Sequence, residues 1–403
     1  MTAHATFDRL WADLEPIGRD RASGGYRRFA WTDADLTLRE WFAGQAADRG
    51  LDLVTDRAGN QWAWWGDPDT AAGQGDPGVV LGSHLDSVPD GGAFDGPLGV
   101  VSALAVVDAL RARGVVPSRP LGVVNFGDEE GARFGIACAG SRLVTGALGA
   151  DRARALTDGD GVSMAEAMAA AGHDPAHLGP DPETLRRVGA FVELHVEQGR
   201  GLVDLDAPVA VGASIWSHGR WRFDLAGQAN HAGTTRLVDR HDPMLAFASA
   251  VSLARSLAER NGVVATCGKV RVEPNGVNAI PSRVTGWLDA RGSDPDAVRS
   301  LVQAFSAAVT DLDGEVTQES WTDETAFDAD LAGRLTRVLG GVPVLPTGAG
   351  HDAGILANAG VPTAMLFVRN PTGISHSPQE FAERDDCLAG VDALTAVVED
   401  LVS

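Results

Sequence analysis

Three apolar segments, each leading into histidine or acidic residues, constrain the fold of this chain more than any other feature. Residues 79–81, 121–126 and 191–194 are almost continuously apolar, as expected of strands that are buried on both faces. Such strands belong to parallel sheets covered by helices, and ligands bind at the carboxyl ends of the strands. The sequence therefore predicts an α/β protein whose polar strand ends meet at one edge of the sheet.

The first segment leads into a loop rich in glycine and proline that carries His84, Asp86 and Asp95. An imidazole with two carboxylates suits a divalent cation. We expect His84 to bind the metal and Asp86 to orient its ring by accepting the other N–H, which leaves Asp95 free to bridge. Taken alone, a His-x-Asp after a strand is more often an ordinary polar loop. Pro97 then opens an apolar helix, so Asp95 lies just before a helix N-terminus.

The other two segments deliver the same kind of residue. Glu129 and Glu130 follow the second strand, and His195 with Glu197 ends the third. Paired acids on a loop are often no more than solvated glutamates. Three strand ends with acidic or imidazole residues are nevertheless hard to ascribe to chance, and they favour a metal site.

The length and charge of the chain limit the classes of function that it can have. The chain has 403 residues, enough for two domains, and its net charge of −22 disfavours a nucleic-acid partner. No signal-like start and no run of 18 apolar residues is present, so we expect no membrane and a cytoplasmic protein. Three scattered cysteines argue against disulfides or a cysteine zinc site.

The pattern of elements changes near residue 211. Alternating apolar and polar residues, two helical segments and further strands give the order β-α-β-β-α-β up to residue 324. We therefore expect an inserted ferredoxin-like domain at 211–324, between the two parts of a catalytic domain at 1–210 and 325–403. The acidic segment 66–78 is predicted to be a surface loop.

Seven motifs in order along nearly the whole chain carry a family resemblance: Gly82-Ser83-His84-Leu85-Asp86, Phe94-Asp95-Gly96, Glu129-Glu130-Gly131, Glu193-Leu194-His195-Val196-Glu197-Gln198-Gly199, Asn230-His231-Ala232-Gly233-Thr234-Thr235, Gly350-His351-Asp352-Ala353 and Gly373-Ile374-Ser375-His376. As a set they resemble the hydantoinase/carbamoylase branch of the M20 metallopeptidase superfamily. The resemblance implies a mixed-sheet dimetal catalytic domain of the zinc-aminopeptidase type with an inserted ferredoxin-like lid and dimerisation domain. Arg236 departs from the proline that is common in the family after Thr234-Thr235, which puts the shape of that loop in question.

The resemblance also implies the ligands of two divalent ions. Asp95 would bridge them, His84 and His195 would bind one, and Glu130 and His376 would bind the other, although the terminal ligands could be interchanged. Histidine, aspartate and glutamate ligands suit Zn²⁺, Mn²⁺ or Co²⁺ about equally.

Catalytic and substrate-binding roles follow from the same resemblance. Glu129 would be the general base, taking a proton from water and passing it to the leaving amine. Peptidases of the superfamily are expected to place a carboxylate where this chain has His195, so that residue favours the amidases. The resemblance also implies five substrate-binding residues, which are Gln198, His231, Asn278, Arg291 and His351. Without the resemblance, a strand-end arginine such as Arg291 is more often a surface salt-bridge former.

The resulting hypothesis is a dimetal amidohydrolase, a homodimer through the inserted domain, that cleaves a ureido C–N bond of a small anionic substrate. Allantoate is favoured, with N-carbamoyl-L-amino acids and N-carbamoyl-β-alanine (β-ureidopropionase activity) as alternatives. A peptidase or N-acyl-amino-acid deacylase is disfavoured by His195. A metal-dependent binding protein would have no need of Glu129.

Overall fold

The computed structural model describes residues 2–403. Its strands are β1 (Asp52–Thr55), β2 (Gln61–Trp65), β3 (Gly78–His84), β4 (Leu121–Phe126), β5 (Val188–Val196), β6 (Val209–Ile215), β7 (Ser217–Ala226), β8 (Asn230–His231), β9 (Val264–Glu273), β10 (Ala279–Ile280), β11 (Arg283–Gly292), β12 (Gly314–Thr322), β13 (Thr325–Ala326), β14 (Val344–Thr347) and β15 (Thr363–Val368).

The α-helices are α1 (Ala3–Leu14), α2 (Asp33–Asp48), α3 (Pro68–Gly73), α4 (Pro97–Ala112), α5 (Ala139–Thr145), α6 (Ala150–Arg154), α7 (Met164–Ala170), α8 (Pro182–Leu185), α9 (Gly201–Asp204), α10 (Pro243–Asn261), α11 (Pro295–Asp311), α12 (Ala329–Val338), α13 (Asp352–Asn358) and α14 (Arg384–Leu401). Within the described residues, none of these helices is both long enough and apolar enough to span a bilayer. The chain divides into two compact units, of which the second is Ser214–Thr325 and the first contains the remainder.

A nine-stranded mixed sheet forms the centre of the first unit, with strand order β1-β2-β4-β3-β5-β15-β6-β13 and β14 also beside β6. The four central strands β4, β3, β5 and β15 run parallel, while β2 and β6 join them antiparallel. The α/β class with a large mixed sheet is therefore confirmed. The three apolar segments of the sequence are β3, β4 and part of β5, and they lie side by side.

Helix α4 shows why the central sheet is stable. Its apolar residues, among them Val100, Val101 and Leu104, are buried around almost its whole circumference, because it packs against β3, α1 and α14. Burial of this apolar surface is the main stabilising contribution to the unit. The helix start, next to Asp95, is thereby fixed relative to the end of β3.

One local prediction is wrong. The segment 66–78 contains the short helix α3, because the Asp67 side chain accepts the N–H groups of Asp69 and Thr70, and Pro68 occupies the first helical turn. The helix buries none of its residues, so it does not change the core.

The second unit is a four-stranded antiparallel sheet in the order β12-β7-β11-β9. Strand β7 alternates as its sequence predicts, with Phe223 and Leu225 buried and Arg220 and Arg222 exposed. Helices α10 and α11 contact the sheet, and Phe305 of α11 lies in the common core. A separate two-stranded pair, β8 with β10, lies outside this sheet.

Candidate active site

Strand ends and one helix start deliver the candidate ligands. His84 ends β3, and His195 is the penultimate residue of the parallel neighbour β5. Asp95 precedes α4, whose N-cap Gly96 has φ of +86°. A Cβ at residue 96 would collide with the His84 ring. Glycine therefore allows the backbone next to Asp95 to approach this histidine closely.

His84, Asp95 and His195 form one buried group of potential metal ligands, with donor atoms that all lie within 4.8 Å of one another. Oδ1 of Asp95 lies 3.5 Å from Nε2 of His84 and 3.1 Å from Nε2 of His195. One carboxylate oxygen therefore faces both imidazoles.

Asp95 also belongs to a second group, with Glu130 and His376, whose donor atoms meet the same 4.8 Å limit. Nε2 of His376 lies 3.4 Å from Oδ2 of Asp95 and 3.6 Å from Oε2 of Glu130. The two oxygens of Asp95 thus face different groups. The structure brings together all five residues that the resemblance implies as ligands.

The hydrogen bonds of the two buried histidines show whether these residues suit metal ions. Nδ1 of His84 lies 3.2 Å from its acceptor, the carbonyl of Asp86, and Nδ1 of His195 lies 2.9 Å from the carbonyl of Val196. A carbonyl only accepts, so each Nδ1 carries the proton and each Nε2 offers a lone pair. Both Nε2 atoms, and Oε1 of Glu130, are buried and make no hydrogen bond within the described residues. Buried nitrogen and oxygen lone pairs that accept no hydrogen bond fit divalent cations as ligand atoms.

The charges of the group lead to the same conclusion. Burial, followed by repulsion from Asp95, raises the pKa of Glu130 to about 7. Burial alone would raise the pKa of Asp95, but the surrounding imidazoles of His195, His376 and His84 outweigh it and hold that pKa well below its usual value. The hydrogen bond to Asp95 raises the pKa of His376 to about 9. Without a metal ion, protons on Glu130 and His376 offset the negative charge of Asp95. Bound cations would replace those protons.

Asp86 makes two backbone contacts that the sequence did not indicate. Its two carboxylate oxygens accept the backbone N–H groups of Glu129 and Glu130, at 3.1 and 3.0 Å. Oδ1 of Asp86 also lies 3.4 Å from Nδ1 of His84. The same carboxylate therefore contacts the histidine ring and fixes the backbone of both glutamates.

Glu129 lies beside the first ligand group, with Oε2 3.8 Å from Nε2 of His84. Cys138 donates its thiol hydrogen to the other oxygen, Oε1, at 3.1 Å. Burial raises the pKa of Glu129 well above its usual value, the nearby His84 imidazole opposes this rise, and Asp352 adds to it. Asn60 accepts the N–H of Gly127 at 2.9 Å and so holds the start of the same loop. Neither Cys138 nor Asn60 carries a sequence signal for this role.

Gln198 and His351 both lie against the candidate ligands. Nε2 of Gln198 donates to Oδ2 of Asp95 at 2.8 Å and to Oγ of Ser375 at 3.0 Å. The His351 ring lies 4.5 Å from the His195 ring. Burial, and then the charge of His195, lowers the pKa of His351 well below its usual value, so this ring stays neutral.

The other three predicted substrate residues lie in the second unit. His231 and Asn278 are both exposed, and the β8–β10 pairing brings them together, with the carbonyl of Asn278 accepting the N–H of Ala232 at 3.0 Å. Arg291 forms a two-bond ion pair with Asp289 of its own strand, with Nε 2.7 Å from Oδ1 and Nη2 3.1 Å from Oδ2.

Glu380 is a further buried acid that the sequence analysis did not single out. It accepts backbone hydrogen bonds from Phe94 and Asp95, both at 2.9 Å. Its position four residues after His376 is the only sequence signal, because the partners are more than 280 residues away along the chain.

Comparison with known proteins agrees with this geometry. Residues 80–400 match the sequence profile of Peptidase family M20/M25/M40. The chain is 37% identical over 405 residues to an N-carbamoyl-L-amino acid amidohydrolase of Geobacillus stearothermophilus, an alignment that covers 96% of each protein. It is 33% identical over 401 residues to an allantoate amidohydrolase of Escherichia coli K12, covering 96% of this chain and 95% of the relative.

Solved structures show the same similarity. A hydantoinase/carbamoylase family amidase from Burkholderia vietnamiensis superposes with a TM-score of 0.89 at 29% identity, covering 99% of this chain and 97% of that one.

Proposed function

We propose that this chain, which belongs to peptidase family M20/M25/M40 and is an amidohydrolase acting on C–N bonds, cleaves a ureido C–N bond in a small carboxylate substrate. The observation that carries the proposal is the pair of ligand groups that share Asp95, with the Glu129 carboxylate beside them. A protein that only binds a metal has no need of an additional buried acid at that point.

The residues of the two groups would hold two divalent ions. His84 and His195 with Asp95 would hold one, and Glu130 and His376 with Asp95 the other. Bound there, the ions supply Lewis acidity to the scissile carbonyl and to the attacking water. A histidine at position 195, where a carboxylate would carry a negative charge, would leave a loaded centre one charge more positive and so better suited to polarise a weakly electrophilic ureido carbonyl.

Glu129 would move the proton. Its carboxylate would accept the proton of the attacking water and deliver it to the leaving nitrogen. Asp86 fixes the backbone of Glu129, and Asn60 fixes the start of its loop, so the base would need no reorganisation during the reaction.

The second unit would recognise the rest of the substrate. Nδ1 of His231 accepts the N–H of Gly233 at 3.0 Å, so in the neutral ring the proton is on Nε2. That N–H could donate to a substrate oxygen. The planar guanidinium of Arg291 suits two parallel hydrogen bonds to a substrate carboxylate, with Asn278 as a further polar contact.

The finer choice of substrate is also a proposal. We favour allantoate, because its acid lies close to either scissile bond and a compact polar pocket would suit it. N-carbamoyl-L-amino acids are the alternative, and one relative of each name aligns over almost the whole chain. N-carbamoyl-β-alanine would place the acid one carbon further from the ureido group, and dipeptides lack that group altogether.

One assay tests the class and the order of substrates. Purified enzyme with Mn²⁺ or Zn²⁺ is given allantoate, N-carbamoyl-L-methionine, N-carbamoyl-β-alanine, a neutral urea and a dipeptide, and release of ammonia or a free amine is measured. We expect the ureido acids to react and the neutral urea to be very poor. A higher kcat/KM for N-carbamoyl-L-methionine than for allantoate would reverse the preference within the class. Preference for the dipeptide would overturn the class.

We also propose a homodimer formed through the second unit. Strand β9 is an edge of its sheet, and two of its apolar side chains, Val264 and Val270, are about half exposed. Leu245 of α10 is 71% exposed. Such an edge and helix face are suited to pairing with a second copy. Light scattering should give twice the 42.0 kDa mass of the chain, and the monomer mass would contradict the proposal.

A further inference from the structure

We infer that Glu380 is a positioning residue of the metal centre, which fixes Asp95 relative to His376 without binding a metal itself. The inference rests on the proposed dimetal function. Glu380 contacts the loop that carries Asp95 and also the loop that carries His376, so it joins two ligands that are remote in sequence.

The contacts to the first loop involve a single oxygen. Oε1 of Glu380 accepts the consecutive backbone N–H groups of Phe94 and Asp95, each at 2.9 Å. These N–H groups lie just before α4, in a buried part of the chain where an unpaired donor would be costly. A charged acceptor makes both bonds stronger than a neutral one would. The bonds therefore fix the backbone from which the Asp95 side chain extends.

Packing around Glu380 shows that the loop is shaped to this side chain. Glu380 is 5% exposed. A Cβ on Gly92 would collide with both the Cβ and the carboxylate of Glu380. The backbone at residues 92–95 therefore closes around the glutamate, and a glycine at position 92 is what makes the approach possible.

Ser375 connects Glu380 to the second loop. Its hydroxyl lies 3.1 Å from Oε2 of Glu380 and 3.4 Å from Oδ2 of Asp95. The same hydroxyl accepts from Nε2 of Gln198 at 3.0 Å, and the next residue along the chain is His376. A hydroxyl has one hydrogen, and Ser375 donates it to the nearer oxygen of Glu380. Oδ2 of Asp95 therefore accepts from the amide of Gln198 rather than from Ser375.

This arrangement predicts how Glu380 can be replaced. Glutamine keeps an acceptor at the position of Oε1 and can therefore preserve both backbone bonds. Alanine removes the acceptor, leaves two N–H groups without a partner and releases Ser375. A residue needed only for its charge would tolerate neither change, whereas a positioning residue should tolerate glutamine.

The test measures metal retention rather than turnover. Wild type, Glu380→Gln, Glu380→Ala and the control Glu383→Ala, an exposed glutamate three residues away, are loaded with Co²⁺. Release of the ion to a coloured chelator and the visible spectrum of bound Co²⁺ are recorded. We expect retention about 10–100-fold weaker with an altered spectrum in Glu380→Ala, and wild-type behaviour in the control. Glu380→Gln should show a smaller loss, because it keeps both backbone bonds but its amide nitrogen no longer accepts from Ser375. Wild-type retention in Glu380→Ala would overturn the inference.

Melting temperatures separate positioning from stability. A purely structural role would lower the melting temperature of the metal-free and loaded forms equally, which would overturn the inference. A positioning role reduces the rise in melting temperature that Co²⁺ produces. If Glu380→Ala does not fold, Ser375→Ala takes its place: faster release than wild type supports the inference, and wild-type release contradicts it.

These measurements use no substrate, so they distinguish the inference from the proposed function. A wild-type protein that binds no metal would overturn the proposed function. Normal metal binding in every variant would overturn only the role of Glu380.

Discussion

The ligand group of His84, Asp95 and His195 in the first unit and two candidate substrate residues of the second unit lie in opposite environments. His84, His195 and Asp95 are 1%, 0% and 6% exposed, whereas His231 and Asn278 lie at the surface of their unit. Metal ions bind most tightly to ligand atoms that are desolvated and already in place, because folding has then ordered them before the metal binds. Residues that select a substrate can instead be ordered when it binds.

Hydrogen bonds show the same difference. In the first unit, Asp86 and Glu380 each accept two consecutive backbone N–H groups from another loop, so long-range bonds fix the backbone of the candidate ligands Glu130 and Asp95. In the second unit, His231 bonds to Gly233 and Arg291 to Asp289, which are neighbours in sequence. Variants in the first unit should therefore abolish the chemistry, and variants in the second should change substrate affinity.

The largest effect is expected from Asp95→Ala, because that carboxylate belongs to both ligand groups. Turnover should fall below detection and the metal content should drop, as after exhaustive chelation of the wild type. Elemental analysis and ammonia release measure the two effects. Asp385→Ala, which changes a side chain that is 96% exposed, is the control. Retention of two ions by Asp95→Ala would show that the shared carboxylate is not a ligand.

Glu129→Gln should reduce turnover less than Asp95→Ala does, and it should leave the metals in place. An amide can neither accept nor deliver the proton, and general acid–base catalysis contributes about 10²–10⁴-fold. Cys138 can still donate to the amide oxygen, so the packing should be preserved. Single-turnover kinetics measure the loss of rate, on protein whose metal content has been determined. A near-normal kcat would show that the base is another residue.

Arg291→Lys should mainly affect KM. Lysine keeps the charge but cannot form two parallel hydrogen bonds, which predicts a loss of about 1.5–3 kcal/mol and a KM that rises roughly 10-fold to 100-fold. Arg222→Lys is a matched control, because Arg222 pairs with Asp224 two residues away in the same sheet. Equal KM values for the two variants would remove Arg291 from the substrate site.

Much of the fold was predictable because its central elements have strong local patterns. Residues 121–126 form β4 as predicted, and α4 follows Asp95 because Pro97 and an apolar run favour a helix. The helix α3 was missed because its glycine, proline and acidic residues also suit a loop, and only the cap by Asp67 selects the helix.

The proximity of the candidate ligands was predictable by resemblance, but the residues that hold them in place were not. His84 and His195 stand at recognisable strand ends. The acceptor role of Glu380 depends on contacts between residues more than 280 positions apart, and that of Asp86 on the way two loops meet. No local pattern encodes such contacts. The pairing of Arg291 with Asp289 is a contrasting case, because residues two apart on a strand share a face.

The smallest expected effect concerns that pair. Asp289 and Arg291 are 30% and 33% exposed in their side chains, and exposed pairs contribute about 0.2–1 kcal/mol. Asp289→Asn removes a negative charge that competes with the substrate carboxylate for the guanidinium, so KM should fall by a few-fold at most while kcat stays unchanged. Asp296→Asn, at a more exposed pair with Arg299, should change neither. A rise in KM would mean that Asp289 holds Arg291 in its binding orientation, and the substrate residues would then be as preorganised as the metal ligands.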